Sequence, residues 1–160
     1  MDGRLQVFSG NGNRKLALDI MRVLEAPLGR AIIGEWGDGE TRVKLEENVR
    51  GSDVFAIQSL SHPVNHHLME LLIMIDAIKR ASAARVTAVI PYFAYAKQEK
   101  KTAGREPISA SLVANLLMTA GVDRVVTLDL HAPAIEGFFK VPVDHLRATP
   151  MLAATFRRMG

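Results

Sequence analysis

Cysteine is absent from the 160 residues, and aromatic residues make up only 6% of them. Without cysteine the chain can form neither a disulfide framework nor a thiolate metal site, and this composition suits a reducing compartment. No apolar run reaches the length of about 18 residues that a transmembrane helix needs, and the first ten residues lack the pattern of a secretion signal. We therefore expect a cytoplasmic protein that does not associate with membranes.

A strong charge of either sign is also lacking. Lys and Arg number 20 against 17 Asp and Glu, which gives a net charge of +3. This weak bias favours anionic small ligands, but basic residues do not interleave with exposed aromatics, so we expect no nucleic-acid partner. With 48% hydrophobic residues, the chain can bury the core of one domain, which we expect to cover residues 1–160.

Short apolar strands alternate with helical patterns along the chain. This order predicts an α/β fold, a doubly wound parallel sheet with helices on both faces. Residues 31–36 and 41–45 predict a β-hairpin that turns on Gly37-Asp38-Gly39 and projects from the sheet. The other strands are predicted at 5–8, 54–57, 86–90 and 125–128, and the helices at about 13–24, 65–82, 109–120 and from Thr149 onward.

Two segments resemble ligand-binding motifs only superficially. The sequence SGNGN at 9–13 precedes a helix, but Lys15 stands where a dinucleotide-binding loop has its third glycine, so an ordinary strand-to-helix turn is favoured. Histidines at 62, 66 and 67 lie near a helix start without clustered carboxylates, so solvated side chains are favoured over a zinc site.

The loop at 92–107 is unusually long and basic, with cations at 97, 100, 101 and 105. It is either a solvated charge run or a mobile lid whose cations close over phosphates, and its place after a buried strand favours the lid. Asp129 and His131 follow the next strand and lie on the same side of the chain. His131 could bind a phosphate or a divalent metal with Asp129 orienting its ring, but a capping or packing role is equally consistent.

Six segments agree in order and spacing with one known family. They are GDGE at 37–40, ENVRG at 47–51, LMELLIMIDAIKRASAARVTAVIPYF at 68–93, PIS at 107–109, DLHA at 129–132 and GFFKVPVD at 137–144. By these motifs the chain resembles ribose-phosphate pyrophosphokinase from about residue 7 to residue 150. The resemblance implies an enzyme that makes phosphoribosyl pyrophosphate and AMP from ATP and ribose 5-phosphate. Such enzymes have two phosphoribosyltransferase-like domains, and this sequence resembles the N-terminal one, without the C-terminal ribose-5-phosphate domain.

The resemblance also assigns roles to individual residues. It implies catalytic roles for His131, Lys97 and Lys100, and a regulatory phosphate site at Arg50. The implied cofactor is Mg²⁺, with His131, Asp129 and Asp144 as candidate ligands. The implied ATP-binding residues are Trp36, Asp38, Gly39, Glu40, Lys97, Gln98 and His131. The hairpin residues among them would hold the adenine of an ATP bound mainly to a neighbouring subunit, so the family likeness implies a homo-oligomer, a dimer or hexamer.

Several positions depart from the family pattern. Trp36 replaces a usual Phe and can still stack on adenine, whereas Lys97 replaces a usual Arg and loses its bidentate fork. Ala134 and Glu136 replace usual glutamines, and Lys140 replaces a usual acid. Two hypotheses follow: an enzyme domain for diphosphoryl transfer, or a non-catalytic paralogue that assembles with active subunits and regulates them. Retention of Asp38, Glu40, Gln98 and His131 favours the enzyme.

Overall fold

The computed structural model of the chain describes residues 4–159. Five parallel strands form one sheet, and two antiparallel strands form a separate hairpin. The strands are β1 (Leu5–Ser9), β2 (Ala31–Glu35), β3 (Thr41–Leu45), β4 (Asp53–Ile57), β5 (Arg85–Ile90), β6 (Arg124–Leu128) and β7 (Val143–Leu146). The helices are α1 (Arg14–Val23), α2 (Val64–Arg80), α3 (Ser109–Ala120) and α4 (Thr149–Met159), with a 3₁₀ helix at Pro133–Phe138.

The parallel sheet has the strand order β1-β4-β5-β6-β7. Helices α2 and α3 cover one face, where Leu71, Ile75 and Leu117 are fully buried. Helix α1 covers part of the other face and packs Ala17 and Met21 against Val7 and Ile57, among others. The predicted α/β fold, with a parallel sheet between helices, is therefore confirmed.

The hairpin of β2 and β3 is also confirmed. Its strands pair from Ala31 with Leu45 to Glu35 with Thr41. Its apolar side chains at 31, 33, 43 and 45 pack against the main core beside α2. One face of the hairpin is thus fixed by hydrophobic burial, while its turn remains exposed to solvent.

The inward faces of two predicted helices differ from the sequence pattern. The spacing of apolar residues predicts Leu24, Leu112 and Leu116 as inward, but their exposed fractions are 54%, 58% and 38%. Alanine at 17, 110 and 114 faces the core instead. Small side chains allow a helix to approach a sheet closely, and the buried stripe of each helix combines these alanines with larger residues, Met21 in α1 and Val113 and Leu117 in α3.

The strand order has a direct consequence for ligand binding. Because all five strands of the sheet run in the same direction, their carboxyl ends lie along one edge, where ligands of such folds bind. The loop between β5 and α3 and the loop that follows β6 both begin at this edge.

Candidate functional site

A pocket of about 150 Å³ lies where β5 and β6 end. Its lining includes Lys97 from the loop after β5, and Asp129 and His131 from the loop after β6. Phe93 and Leu130 are buried beneath these polar groups. The pocket therefore brings an ammonium, a carboxylate and an imidazole to one partly enclosed surface, a combination suited to phosphate groups and an associated divalent cation.

The backbone that carries His131 is held by a buried histidine. The Leu130 N–H donates to Nε2 of His145 at 2.9 Å, and Nδ1 of His145 lies 2.6 Å from Oε1 of Glu136. Because Nε2 accepts a hydrogen bond, the ring proton is on Nδ1 and is donated to the carboxylate. This relay fixes the loop between Asp129 and His131 while leaving the His131 side chain exposed.

Asp129 has a left-handed backbone with φ of 45°, which Asp tolerates better than most residues. Its carboxylate accepts from the Ala148 N–H at 3.3 Å, a bond that joins the pocket to the segment before α4. Asp129 is itself exposed. Its long hydrogen bond leaves lone pairs of the carboxylate available to a ligand.

Gln98 is tied to the start of α3. Its N–H donates to the Tyr95 carbonyl, its carbonyl accepts from the Ala110 N–H, and its side-chain oxygen accepts from Oγ of Ser109 at 2.7 Å. These bonds fix the first turn of the loop. As a result, neighbouring Lys97 is exposed at the mouth of the pocket.

Glu99 is a functional candidate that the sequence analysis missed. A hydrogen bond from its own backbone N–H holds the pKa of this carboxyl below its ordinary value, and the charges of Lys100 and His131 act in the same direction. The Lys100 ammonium lies 3.5 Å from the Glu99 carboxylate. The only sequence signal for Glu99 is an acid between Lys97 and Lys100, because its contacts with His131 depend on the fold.

The rest of the loop, residues 100–105, is exposed. Glu106 closes a turn within it, because its carboxylate accepts from the Thr102 N–H at 2.8 Å, from the Thr102 hydroxyl and from the Ala103 N–H. These bonds, the Thr102 N–H foremost, hold the pKa of Glu106 below its ordinary value. Lys100 and Arg105 therefore lie on a loop that has local structure but few contacts to the core.

The hairpin turn presents a second group of predicted site residues. Trp36 is 53% exposed, and the Arg42 guanidinium lies 4.6 Å from the centroid of its ring. Gly39 has φ of 88° and donates its N–H to the Trp36 carbonyl, while the Asp38 carboxylate accepts from the Glu40 N–H at 3.1 Å. One face of an exposed indole and two carboxylates are thus available to a planar polar ligand.

Not all predicted residues lie at the pocket. Asp144 is on β7, two residues before the end of that strand, and forms an ion pair of 2.7 Å with Arg124. Arg50 is exposed in a turn before β4, at the opposite edge of the sheet. Within residues 4–159 the structure therefore gathers Lys97, Asp129 and His131, but places Asp144, Arg50 and the hairpin elsewhere.

The glycine-rich turn after β1 is filled by protein groups. The Asn11 N–H donates to the Glu70 carboxylate at 2.7 Å, and the Gly12 N–H donates to Oε1 of Gln58 at 2.9 Å. A Cβ on Gly10 would lie 2.5 Å from the Gln58 side chain, and one on Gly12 would lie 2.2 Å from the Ser59 carbonyl. The glycines permit this close approach, as expected for an ordinary strand-to-helix turn.

The expectation of solvated histidines is wrong for two of the three. His67 is buried, with Nδ1 2.8 Å from the Ser61 carbonyl, and His66 lies between the carboxylates of Glu35 and Glu70. His62 is exposed, as expected.

Comparisons with known proteins show the family of the chain. The family profile of the N-terminal domain of ribose phosphate pyrophosphokinase matches residues 5–121. The chain is 56% identical over 156 residues to a ribose-phosphate pyrophosphokinase of Clostridium tetani and 53% identical over 160 residues to one of Corynebacterium ammoniagenes. It also matches the crystal structure of phosphoribosylpyrophosphate synthetase from Mycobacterium smegmatis, with a TM-score of 0.94 and 48% identity.

These matches cover the chain and its relatives unequally. They include 98% and 100% of this chain, but only 49% and 50% of the two relatives. The match to the solved structure covers 96% of this chain and 51% of the chain in that structure. The chain thus spans about half the length of the proteins that it matches.

Proposed function

The chain belongs to the ribose-phosphate pyrophosphokinase family, and we propose that it is the ATP-binding domain of such an enzyme. In the proposed reaction the 1-hydroxyl of ribose 5-phosphate attacks the β-phosphorus of ATP, the bond from that phosphorus to the α-phosphate oxygen breaks, and AMP leaves. The observation that carries this proposal is the pocket that brings together Lys97, Asp129 and His131. The other substrate, ribose 5-phosphate, would bind to the half of the enzyme that this chain does not span.

The residues of the pocket have complementary roles in this proposal. The Lys97 ammonium would lie against the phosphates of ATP, and Lys100 would join it when the loop closes, so that both stabilise charge on the transferred group. His131 would donate a hydrogen bond to a phosphate oxygen. Gln98, fixed to α3, would position the backbone from which Lys97 projects.

The residues present also fit magnesium. This ion is commonly held by one or two carboxylates together with substrate phosphates and water. The described residues contain no group of three or more His, Asp or Glu able to hold a metal, which favours an ion bound largely through the phosphates of ATP. Asp129 and His131 would be its protein contacts, whereas Asp144 would first have to leave Arg124. When bound, magnesium would neutralise negative charge on the phosphates.

The hairpin suggests a further part of the proposal. Trp36 with Asp38, Gly39 and Glu40 would hold the adenine of an ATP whose phosphates lie in a neighbouring subunit, so the enzyme would be a homo-oligomer, a dimer or hexamer. The exposed indole and the exposed leucines at 112 and 116 support contacts with another chain. We also propose, from the family resemblance, that Arg50 binds a regulatory phosphate. Arg50 is exposed at the sheet edge opposite the pocket, so such a site would be separate from the one for ATP.

We propose a cytoplasmic location on the basis of the cysteine-free sequence. Over residues 4–159, no helix has both the length and the apolar character needed to cross a bilayer. No observation favours the alternative of a non-catalytic regulatory paralogue.

The proposal is tested by replacing His131 in a full-length protein that contains this chain. His131→Ala should lower kcat/KM for phosphoribosyl pyrophosphate formation by about 100-fold or more, because it removes a group placed at the reacting phosphates. His62→Ala, which removes another exposed histidine, is the matched control and should leave the rate unchanged. Near-normal turnover by His131→Ala would refute the assignment of the site.

A further inference from the structure

A buried carboxylate lies beneath the hairpin, outside the pocket described above. Glu70 on α2 has an exposed fraction of 0%. It accepts hydrogen bonds from the backbone N–H of Asn11 at 2.7 Å, from the Asn11 side-chain amide at 2.8 Å and from the Gln58 amide at 2.6 Å. These three hydrogen bonds fix Glu70 between α2, the turn after β1 and Gln58.

The His66 side chain lies against this carboxylate. Its Nε2 lies 3.6 Å from the Glu70 carboxylate, and its Nδ1 lies 3.1 Å from the carboxylate of Glu35 on β2. The imidazole therefore bridges one exposed carboxylate on β2 and one buried carboxylate on α2.

The bridge connects the hairpin to the core. Glu35 is the last residue of β2 and directly precedes Trp36. A second link runs in parallel, because the Asn11 amide that binds Glu70 also donates to the Ile33 carbonyl at 3.2 Å. The end of β2 is thus attached to Glu70 through both a side chain and the backbone.

Other groups also face His66. Glu40 on the far side of the hairpin turn lines the same groove as His66. The His67 ring is 5.4 Å away and is bonded to the Ser61 carbonyl. The ring of His66 thus lies between the carboxylates at 35 and 70, and the carboxylate at 40 lines the same groove.

We propose that His66 is a positioning residue for the nucleotide, in that its side chain joins Glu35 to Glu70 and holds the end of β2 from which Trp36 projects. This inference rests on the proposed function of the hairpin in binding adenine. Without the His66 ring, Glu35 loses its side-chain contact to α2, and Glu70 keeps only its bonds to Asn11 and Gln58. The hairpin turn would then sample more conformations, and nucleotide binding would have to restrict them.

The test compares His66→Gln, Glu35→Gln and the double variant in the intact protein. Hydrogen exchange without nucleotide should become faster at residues 31–45 in all three variants. The Kd for ATP with magnesium should rise by about 5-fold in each single variant and no further in the double variant, because one shared bridge is lost. His62→Gln and Glu46→Gln, which alter exposed residues away from the bridge, should match the wild type.

The split between binding and turnover separates positioning from general destabilisation. In His66→Gln the KM for ATP should rise together with the Kd, while kcat at saturating ATP stays within about 2-fold of wild type. A fall in kcat to the same extent as the rise in KM would contradict a role confined to positioning.

Additive effects of the two single changes, or unchanged exchange at 31–45, would overturn the positioning role. The proposed function is tested separately by Trp36→Ala. If that variant binds ATP as tightly as the wild type while His66→Gln still loosens the hairpin, the nucleotide role of the hairpin is wrong. The inference that His66 positions the nucleotide fails with it, although the bridge itself remains.

Discussion

At the scale of single residues, the exposed indole of Trp36 has a partner that only the structure reveals. Arg42 lies opposite Gly34 on the neighbouring strand, and its guanidinium lies over the Trp36 ring. The resemblance to a family identified Trp36, but no motif pointed to Arg42, because a cross-strand contact depends on the register of the hairpin. Contact with the cation on one face orients the ring and leaves the other face for a ligand.

We predict that Arg42→Ala weakens binding of ATP by about 3- to 5-fold, the effect of losing an exposed cation–π contact. Lys44→Ala is the control, since it removes the other cation of β3, which is exposed. Calorimetric titration of both variants with ATP and magnesium measures the difference. Equal effects of the two changes would mean that net charge, rather than stacking on Trp36, determines affinity.

At the scale of elements, the predicted strands were those with the clearest physical signal. Strands β4, β5 and β6 are continuous apolar runs because both of their faces are covered, whereas β7 has the sequence VDHL and was not predicted. Its Asp144 is paired with Arg124 and its His145 with Glu136, so long-range polar contacts stabilise it. Contacts of this kind leave no periodic pattern in a sequence.

The loop after β5 remains predicted to be a mobile lid. Hydrogen exchange over residues 97–105 should be faster than in α2 or α3, and it should slow when ATP and magnesium bind. Its exposure and its few contacts to the core motivate this expectation. Exchange as slow as in the flanking helices without nucleotide would argue against a lid.

Within this loop, the turn closed by Glu106 should depend on pH. The hydrogen bonds from Thr102 and Ala103 lower the pKa of Glu106 from an ordinary value of 4.5. A lowered pKa means that the turn is stabilised above this value and loses that contribution as pH falls below it. Glu106→Ala should therefore increase exchange at Thr102 and Ala103 at neutral pH, measured by NMR.

The matched control for that change is Glu46→Ala, which removes an exposed carboxylate from a different loop. It should leave exchange at Thr102 and Ala103 unaltered. A titration of wild-type Glu106 followed by NMR should have its midpoint below 4.5. A midpoint at or above that value would show that the turn does not form in solution.

At the scale of the whole molecule, topology explains which site residues could be predicted to meet. Loops that follow neighbouring parallel strands begin at the same edge of the sheet. The strand order therefore predicts that Lys97 and His131 lie near each other, and the structure places both in one pocket. Glu99 and His145 were not identified, because their importance comes from contacts across the fold. The roles proposed for the site residues rest on the family resemblance, because the Asp-x-His pattern of Asp129 and His131 alone is a weak signal of a metal or phosphate site.

Finally, we predict that these 160 residues alone do not form phosphoribosyl pyrophosphate at an appreciable rate. We propose that the pocket of Lys97, Asp129 and His131 holds the phosphates of ATP, but these 160 residues have no loop like the acidic, Gly-Thr-rich segment that the family resemblance implies for binding ribose 5-phosphate in a second domain. Without that loop the attacking hydroxyl is not positioned, and positioning can contribute roughly 7–11 kcal/mol to lowering a barrier. Loss of even half of this contribution would slow turnover by about three orders of magnitude or more.

The measurement is product formation by the 160-residue chain and by a full-length protein that contains it, at equal subunit concentration, with ATP binding by the shorter chain as the control for folding. Comparable rates would mean that a sugar-phosphate site lies within this domain, and the proposal that the second half supplies it would be wrong.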